Sequence, residues 1–179
     1  MKEAVRCLKE GGIIAYPTEA VYGLGCDPLN EKAVRRLLAL KERNWEKGLI
    51  LIAADFAQLE PFLEPLSSIL RKRVFAKWPG PVTWLLTAKS TVPYWLRGQS
   101  SKLAVRVTAH AKVCELCHEW GGALVSTSAN LSGQAAATTA FDVEHIFAEK
   151  IDYIVSGAVG KRERPSEIRD ALSNTVLRV

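Results

Sequence analysis

Apolar positions along this chain follow two periods, and the alternation between them sets the expected architecture. Downstream of Asn30, a favourable helix N-cap, Val34, Leu37, Leu38 and Leu40 recur at helical spacing and predict a helix over 30–40. The unbroken run Gly48-Leu49-Ile50-Leu51-Ile52-Ala53 that follows is apolar enough to be a strand buried on both faces. Similar reasoning predicts strands over 13–17, closed by Pro17, over 82–87 after the turn Pro79-Gly80-Pro81, and over 103–108. Helices are predicted over 3–9, ending at Gly11-Gly12, over 66–78, over 110–120 and over 139–149, with Asp55 capping a short helix that Pro61 and Pro65 break. Ala123-Leu124-Val125 reads as a strand giving way to a polar segment, 153–155 as another, and a closing pair runs around Ile168 and through 175–179 with a turn at Ser173-Asn174. The glycine-rich stretch 18–28 reads as a loop. Strands interleaved with helices give an α/β domain built on a mixed sheet.

Composition narrows the class. The 179 residues are 48% hydrophobic, enough for one sizeable core, and a single domain over 1–179 is expected. Lys and Arg outnumber Asp and Glu by 24 to 19, a mild bias towards anionic partners such as nucleotides or RNA. No apolar run reaches membrane-spanning length, and Met1-Lys2-Glu3-Ala4-Val5-Arg6 mixes charges where a signal peptide would segregate them, so a cytoplasmic protein with no membrane association is expected. The four cysteines form no disulfide framework in that setting. Cys114-Glu115-Leu116-Cys117-His118 matches the spacing of covalent haem attachment, but Val113, Leu116, Cys117 and Trp120 share one helical face, and core packing is the better reading.

The polar residues then stand out by position. Lys41, Arg43 and Lys47 crowd the junction between the 30–40 helix and the strand after it; they either complement the helix dipole or form an anion site at a strand end. Thr18 brings a hydroxyl to the end of the 13–17 strand, and Gly23 and Gly25 allow a ligand close to the backbone, although no Walker lysine follows. Arg106 interrupts an apolar series, either at an edge or solvent-facing position or as a guanidinium reaching a ligand carboxylate. Ser126-Thr127-Ser128-Ala129-Asn130 offers small donors suited to phosphate oxygens or hydrated magnesium, or else a turn cluster bonding its own backbone. The loop 157–166 carries Lys161, Arg162 and Arg164 and could shut over an anion.

Six stretches in order carry a family resemblance: Tyr16-Pro17-Thr18-Glu19-Ala20-Val21-Tyr22-Gly23-Leu24-Gly25, Lys41-x-Arg43, Trp78-Pro79-Gly80-Pro81-Val82-Thr83, Ala104-Val105-Arg106, Ser126-x-Ser128-Ala129-Asn130 and Pro165-Ser166-Glu167-Ile168-Arg169-Asp170. Together they resemble the YrdC-like threonylcarbamoyl-AMP synthases in their short, single-domain bacterial form. The resemblance implies a twisted open mixed sheet flanked by helices around a concave basic cavity. It also implies a nucleotidyltransferase that forms L-threonylcarbamoyladenylate and pyrophosphate from ATP, bicarbonate and L-threonine, with Mg2+ accompanying ATP. A separate transferase complex would pass the threonylcarbamoyl group to an adenosine beside the tRNA anticodon.

By the same resemblance Lys41, Arg43, Lys47, Ser128, Asn130 and Arg178 match ATP-holding positions, and Lys41 and Arg43 are the expected catalytic cations. Thr18, Arg106, Ser126 and Ser166 match positions around threonine or its carbamate, with Arg106 as carboxylate clamp and no protein metal ligand set. Two departures stand out: Lys47-Gly48-Leu49 replaces the Asn-Pro-Leu or Lys-Pro-Leu of many relatives, and Ile52 replaces a histidine of the longer ones. Two other readings are a non-catalytic protein holding double-stranded RNA or tRNA weakly in the basic cavity, and the related carbamoyl-transfer domain of hydrogenase maturation proteins. The first lacks an aromatic stacking series, since Trp78, Trp84, Trp95 and Trp120 are scattered; the second lacks the attached acylphosphatase-like and zinc-finger segments.

Overall fold

The computed structural model describes residues 1–162 and 166–178. Six helices and nine strands alternate as α1 (Lys2–Lys9), β1 (Ile14–Pro17), β2 (Tyr22–Gly25), α2 (Glu31–Leu40), β3 (Ile50–Ala53), α3 (Ser68–Phe75), β4 (Val82–Thr87), α4 (Tyr94–Arg97), β5 (Lys102–Val107), α5 (Ala111–Trp120), β6 (Leu124–Ser128), α6 (Ala140–Phe147), β7 (Tyr153–Ile154), β8 (Glu167–Asp170) and β9 (Val176–Arg178). All nine strands join one open sheet in the order β7-β1-β2-β6-β3-β5-β4-β8-β9. Three neighbouring pairs, β1 with β7, β3 with β5 and β4 with β8, run parallel, and the other pairs are antiparallel, so the sheet is mixed.

Alternation along the central strands assigns the two faces. In β5, Leu103, Val105 and Val107 point into the larger core with Leu51 and Ala53 of β3, Trp84 and Leu86 of β4 and the buried face of α2. The opposite face divides into two halves. One half is covered: Ile14, Tyr16, Ile52 and Leu124 pack beneath α1 and α5 through Ala4, Leu8, Val113, Leu116 and Cys117. The other half is not covered, and the in-register neighbours Ile50, Ala104, Ser126 and Leu85 lie on it.

Several expected elements change on inspection. Residues 22–25, expected inside a loop, form β2, whose Tyr22 and Leu24 are fully buried. The intervening glycines hide its two-residue period. At Gly25 a Cβ would come within 2.3 Å of the Val125 carbonyl and 2.8 Å of the Tyr16 ring, so this glycine serves sheet packing and not ligand approach. The helix expected over 66–78 is confined to α3, which Ser67 starts by accepting the Leu70 amide. Asp55 accepts from the Gln58 amide in a turn, and only a 3-10 turn, Glu60–Phe62, follows. Ser126 and Ser128 form the end of β6, a strand closing in small polar residues as expected. Cys117 packs in the core while His118 faces solvent near Asp55, 3.5 Å away, so the parts of the C-x-x-C-H stretch diverge. Among the described residues no helix is long and apolar enough to cross a membrane.

Ile52 is fully buried in the cluster that fixes α5 on the sheet. Ile52→Ala is expected to destabilise the fold by about 2 to 5 kcal/mol, measured as a lowered urea midpoint with unchanged slope.

Candidate active site

The uncovered half of the sheet is the floor of a cavity of about 320 Å3. Its floor residues are mutual neighbours across the strands: Ile50 lies opposite both Ala104 and Ser126, Ala104 opposite Leu85, Gly23 opposite Ser128, and Ile168 opposite Arg178. Small and apolar side chains at these positions leave room. Around them stand Arg43, Lys47, Arg97, Lys102, Arg106, Arg162 and Arg178, with Glu19 the one carboxylate among the described lining residues. Two of the cations are partly neutralised, Lys102 by Asp170 and Arg106 by Glu19 at 3.4 Å.

Arg106 settles the choice its sequence position left open. Strand β5 lies inside the sheet between β3 and β4, and the Arg106 side chain is only 7% exposed, so neither an edge nor a solvent-facing position applies. Its Nε is buried with no hydrogen-bond partner, as are Nε of Arg43 and Oε2 of Glu19. Buried unpaired polar atoms are costly, and three of the five among the described residues belong to side chains lining this cavity.

The junction after α2 divides in an unexpected way. Arg43 and Lys47 line the cavity, but Lys41 and Asn130 do not; they lie behind Ser128, which does. Lys41, the C-cap of α2, is 6% exposed, and its ammonium donates to the Ser128 carbonyl at 2.6 Å, the Asn130 carbonyl at 2.5 Å and Asn130 Oδ1 at 3.0 Å. All three of its N–H donors are thereby used. Asn130 Oδ1 also accepts from Ser128 Oγ, and its amide nitrogen donates to the carbonyls of Leu131 and Gln134. Lys41 therefore knots the turn after β6 and presents the Ser128 side of it to the cavity. Sequence spacing alone placed Lys41 with Arg43 and could not show that one faces away.

A 3-10 turn, Trp45–Lys47, carries Lys47 to the rim and is followed by Gly48 at φ 64° and ψ 175°. Only glycine adopts that conformation readily, and proline, held near φ −65°, cannot. The departure from the usual Pro-Leu pattern thus has a local cause. Gly48 gives its carbonyl to Arg43 Nη2 at 2.9 Å and fixes the guanidinium against the turn. Helix α4, which sequence reasoning missed because 93–98 is too short for a periodic signal, adds Leu96 and Arg97 to the wall.

The remaining expected residues also converge. Thr18 donates its hydroxyl to the Val21 carbonyl at 2.7 Å and closes the turn between β1 and β2; its oxygen keeps acceptor capacity. Ser126 is 7% exposed on the floor. Ser166 Oγ lies 3.1 Å from Thr83 Oγ1, and its carbonyl accepts from Arg178 Nη2 at 3.0 Å. Arg162 reaches the cavity, with its amide bonded to the Glu19 carbonyl, while Arg164 and Pro165 lie outside the described residues. Ile52 is buried beneath α5, on the covered half and away from the cavity. Sequence reasoning quoted Glu19 only inside a motif, although a carboxylate among so many cations was the available signal.

Crowding of like charge shows in the titration. Burial and the Arg43 charge push the Lys41 ammonium down to about 8. Burial, with Arg106 and Arg43 nearby, also lowers Arg178. Burial raises the Glu19 carboxyl, but the Arg106 charge and donation from Thr108 and Ala109 outweigh it and leave the group below its usual value.

Fold and site together define an open-sheet α/β protein with a cation-lined cavity over the uncovered half of one sheet face, suited to a ligand carrying several negative charges. The family model for Sua5, YciO and YrdC, described as telomere recombination, matches residues 6–179. The chain belongs to that Sua5/YciO/YrdC family. A threonylcarbamoyl-AMP synthase of Nitrosococcus oceani is 54% identical over 175 residues, covering 98% of this chain and 95% of the relative. P. abyssi Sua5 complexed with L-threonine superposes with a TM-score of 0.88 at 33% identity, over 94% of this chain and 50% of that one, so this chain spans about half the length of that relative. E. coli YciO shares the fold, with a TM-score of 0.82 at 24% identity over 99% of this chain and 86% of its own.

Lys41 loses its charge as pH rises through about 8, and with it one donor of the knot. Binding of a non-hydrolysable ATP analogue, followed by calorimetry, is expected to weaken above that pH in the native protein. In Lys41→Arg, which stays charged, the alkaline loss should vanish.

Proposed function

We propose that the cation-lined cavity is where this chain, a threonylcarbamoyl-AMP synthase by its family and full-length relatives, joins L-threonine, bicarbonate and ATP. One observation carries the assignment: Arg43, Lys47, Arg106, Arg178, Ser126, Ser128 and Ser166, drawn from five separate stretches of chain, line one cavity. Arg106 takes the threonine carboxylate, with Ser126, Ser166 and the Thr18 turn around it. Arg43, Lys47, Arg178 and Ser128 take the triphosphate, and Lys41 with Asn130 holds Ser128 in place from behind.

The chemistry needs charge neutralisation more than a nucleophilic side chain. Threonine's amine and bicarbonate give an N-carboxylate with loss of water, and a carboxylate oxygen then attacks the α-phosphorus of ATP while pyrophosphate leaves. Both reactants are anions, and fixed guanidinium and ammonium groups lower the cost of their approach and of the charge on the leaving group. Magnesium arrives with ATP as part of that substrate. Among the described residues there is no group of three metal-type ligands, and Glu19 is the one carboxylate of the described lining. The donor set therefore suits an ion held by triphosphate oxygens and water, with the Ser128 hydroxyl at hand. The product is a mixed anhydride whose threonylcarbamoyl group passes to tRNA through a separate transferase; any direct grip on RNA would show as a steep salt dependence.

A cation beside phosphate in a partly desolvated cleft supplies about 2 to 4 kcal/mol. Arg43→Ala, and Lys41→Ala by releasing the turn, are each expected to slow adenylate formation roughly a hundredfold with the fold retained. The assay follows pyrophosphate with ATP, bicarbonate and each amino acid in turn. L-Threonine should stand out, and normal rates in both variants would show that the assignment is wrong.

A further inference from the structure

A carboxylate set among seven cations weakens the potential that draws in ATP, so Glu19 calls for a function of its own. It is not there by default of packing. Oε1 accepts from Thr108 Oγ1 at 2.7 Å and from the Ala109 amide at 3.4 Å, which fixes the group's position, while Oε2 lies 3.4 Å from Arg106 Nη1. Its carbonyl and that of Thr18 accept the amides of Arg162 and Gly160, so the surrounding backbone is held as well. The pair is incomplete from both sides: Glu19 Oε2 and Arg106 Nε are each buried without a hydrogen-bond partner. Two orphaned atoms of opposite charge preference, side by side at the edge of one cavity, are the complement of a zwitterion.

Resting on the reading that Arg106 takes the threonine carboxylate, we infer that Glu19 reads the other end of the molecule and accepts a hydrogen bond from the α-amino nitrogen through Oε2. Glu19 is among the residues that line the cavity. The carboxylate is ionised at neutral pH, as an acceptor for an ammonium must be. The same oxygen serves the N–H that remains once the nitrogen carries its carboxylate. The phosphate oxygens of ATP and bicarbonate bring no N–H donor to this position, so one negative group amid the positive ones favours the amino acid's nitrogen there and sets which way round the molecule lies.

Glu19→Gln retains the shape and the bond from Thr108 while removing the charge. Native and variant proteins are compared for threonine KM, ATP KM and inhibition by 3-hydroxybutanoate, which keeps threonine's carboxylate and hydroxyl and lacks its nitrogen. The variant is expected to raise the threonine KM by about tenfold or more, with ATP KM and the inhibition constant of 3-hydroxybutanoate within about twofold of native. An equal rise for threonine and 3-hydroxybutanoate would mean that Glu19 only holds Arg106, and no rise in either would mean that it reads nothing; both overturn the inference. A changed ATP KM would report a disturbed site and count against it too. Threonine-dependent pyrophosphate release by the native protein tests the underlying activity separately.

Discussion

Arg106 is the constraint around which the rest of the cavity is arranged: a guanidinium almost wholly buried on a central strand of a nine-stranded sheet. Removing such a group from water costs several kcal/mol unless partners surround it, and Glu19 at 3.4 Å is a partial partner only. The neighbouring cations worsen the balance: burial first, then the charges of Arg106 and Arg43, lower Arg178, and burial, then the Arg43 charge, lowers Lys41. The cavity lining therefore carries an excess of positive charge that Glu19 offsets only in part. Anionic ligands gain what the protein lacks, and this is how a rigid scaffold can bring two negatively charged reactants together without a reactive side chain.

The scaffold tolerates this because its costs are separated in space. The face of the sheet opposite the cavity is wholly apolar in β5 and packs into the larger core, and the covered half of the cavity's own face carries the cluster beneath α1 and α5. Much of the apolar core thus lies away from the cavity. The passage between the two halves is short: Ile52 and Arg106 are register partners, one under α5 and the other in the cavity. Two adjacent strand positions on one face consequently belong to different regimes, one governed by packing and the other by charge.

Much of this was legible in the sequence where a side chain's role follows from period alone. Asn30 as cap, the strands over 82–87 and 103–108, the helix bearing Cys117, and the hairpin turn at Ser173 and Asn174 are all present. Strand β2 escaped because its alternate positions are glycines, which read as turn residues until their packing against Val125 and Tyr16 is seen. Candidate residues were identifiable by type and order, but not their directions. Lys41 and Arg43 stand two residues apart beyond the same helix, yet one ammonium is spent on three carbonyl-type acceptors while the other side chain lines the cavity. Direction depends on the turn after α2, and a turn built on positive-φ glycine has no periodic signature.

That turn also shows how a departure from a family pattern can be compensated locally. Proline in place of Gly48 would stiffen the entry to β3 through its ring. Here the chain takes the left-handed alternative, and Gly98, also at positive φ, lets the two backbones meet, since a Cβ there would come within 2.1 Å of the Glu46 carbonyl. Leu49 then bonds the Leu96 carbonyl at 2.8 Å, which ties the entry to β3 onto α4. The rigidity a proline ring would give is replaced by interlocked backbone, and the consequence for chemistry is the same: the Gly48 carbonyl stays where Arg43 needs it. A change at position 48 alone is therefore coupled to position 98, because filling either glycine pushes apart two segments that together set the cavity wall carrying Arg43, Lys47 and Arg97.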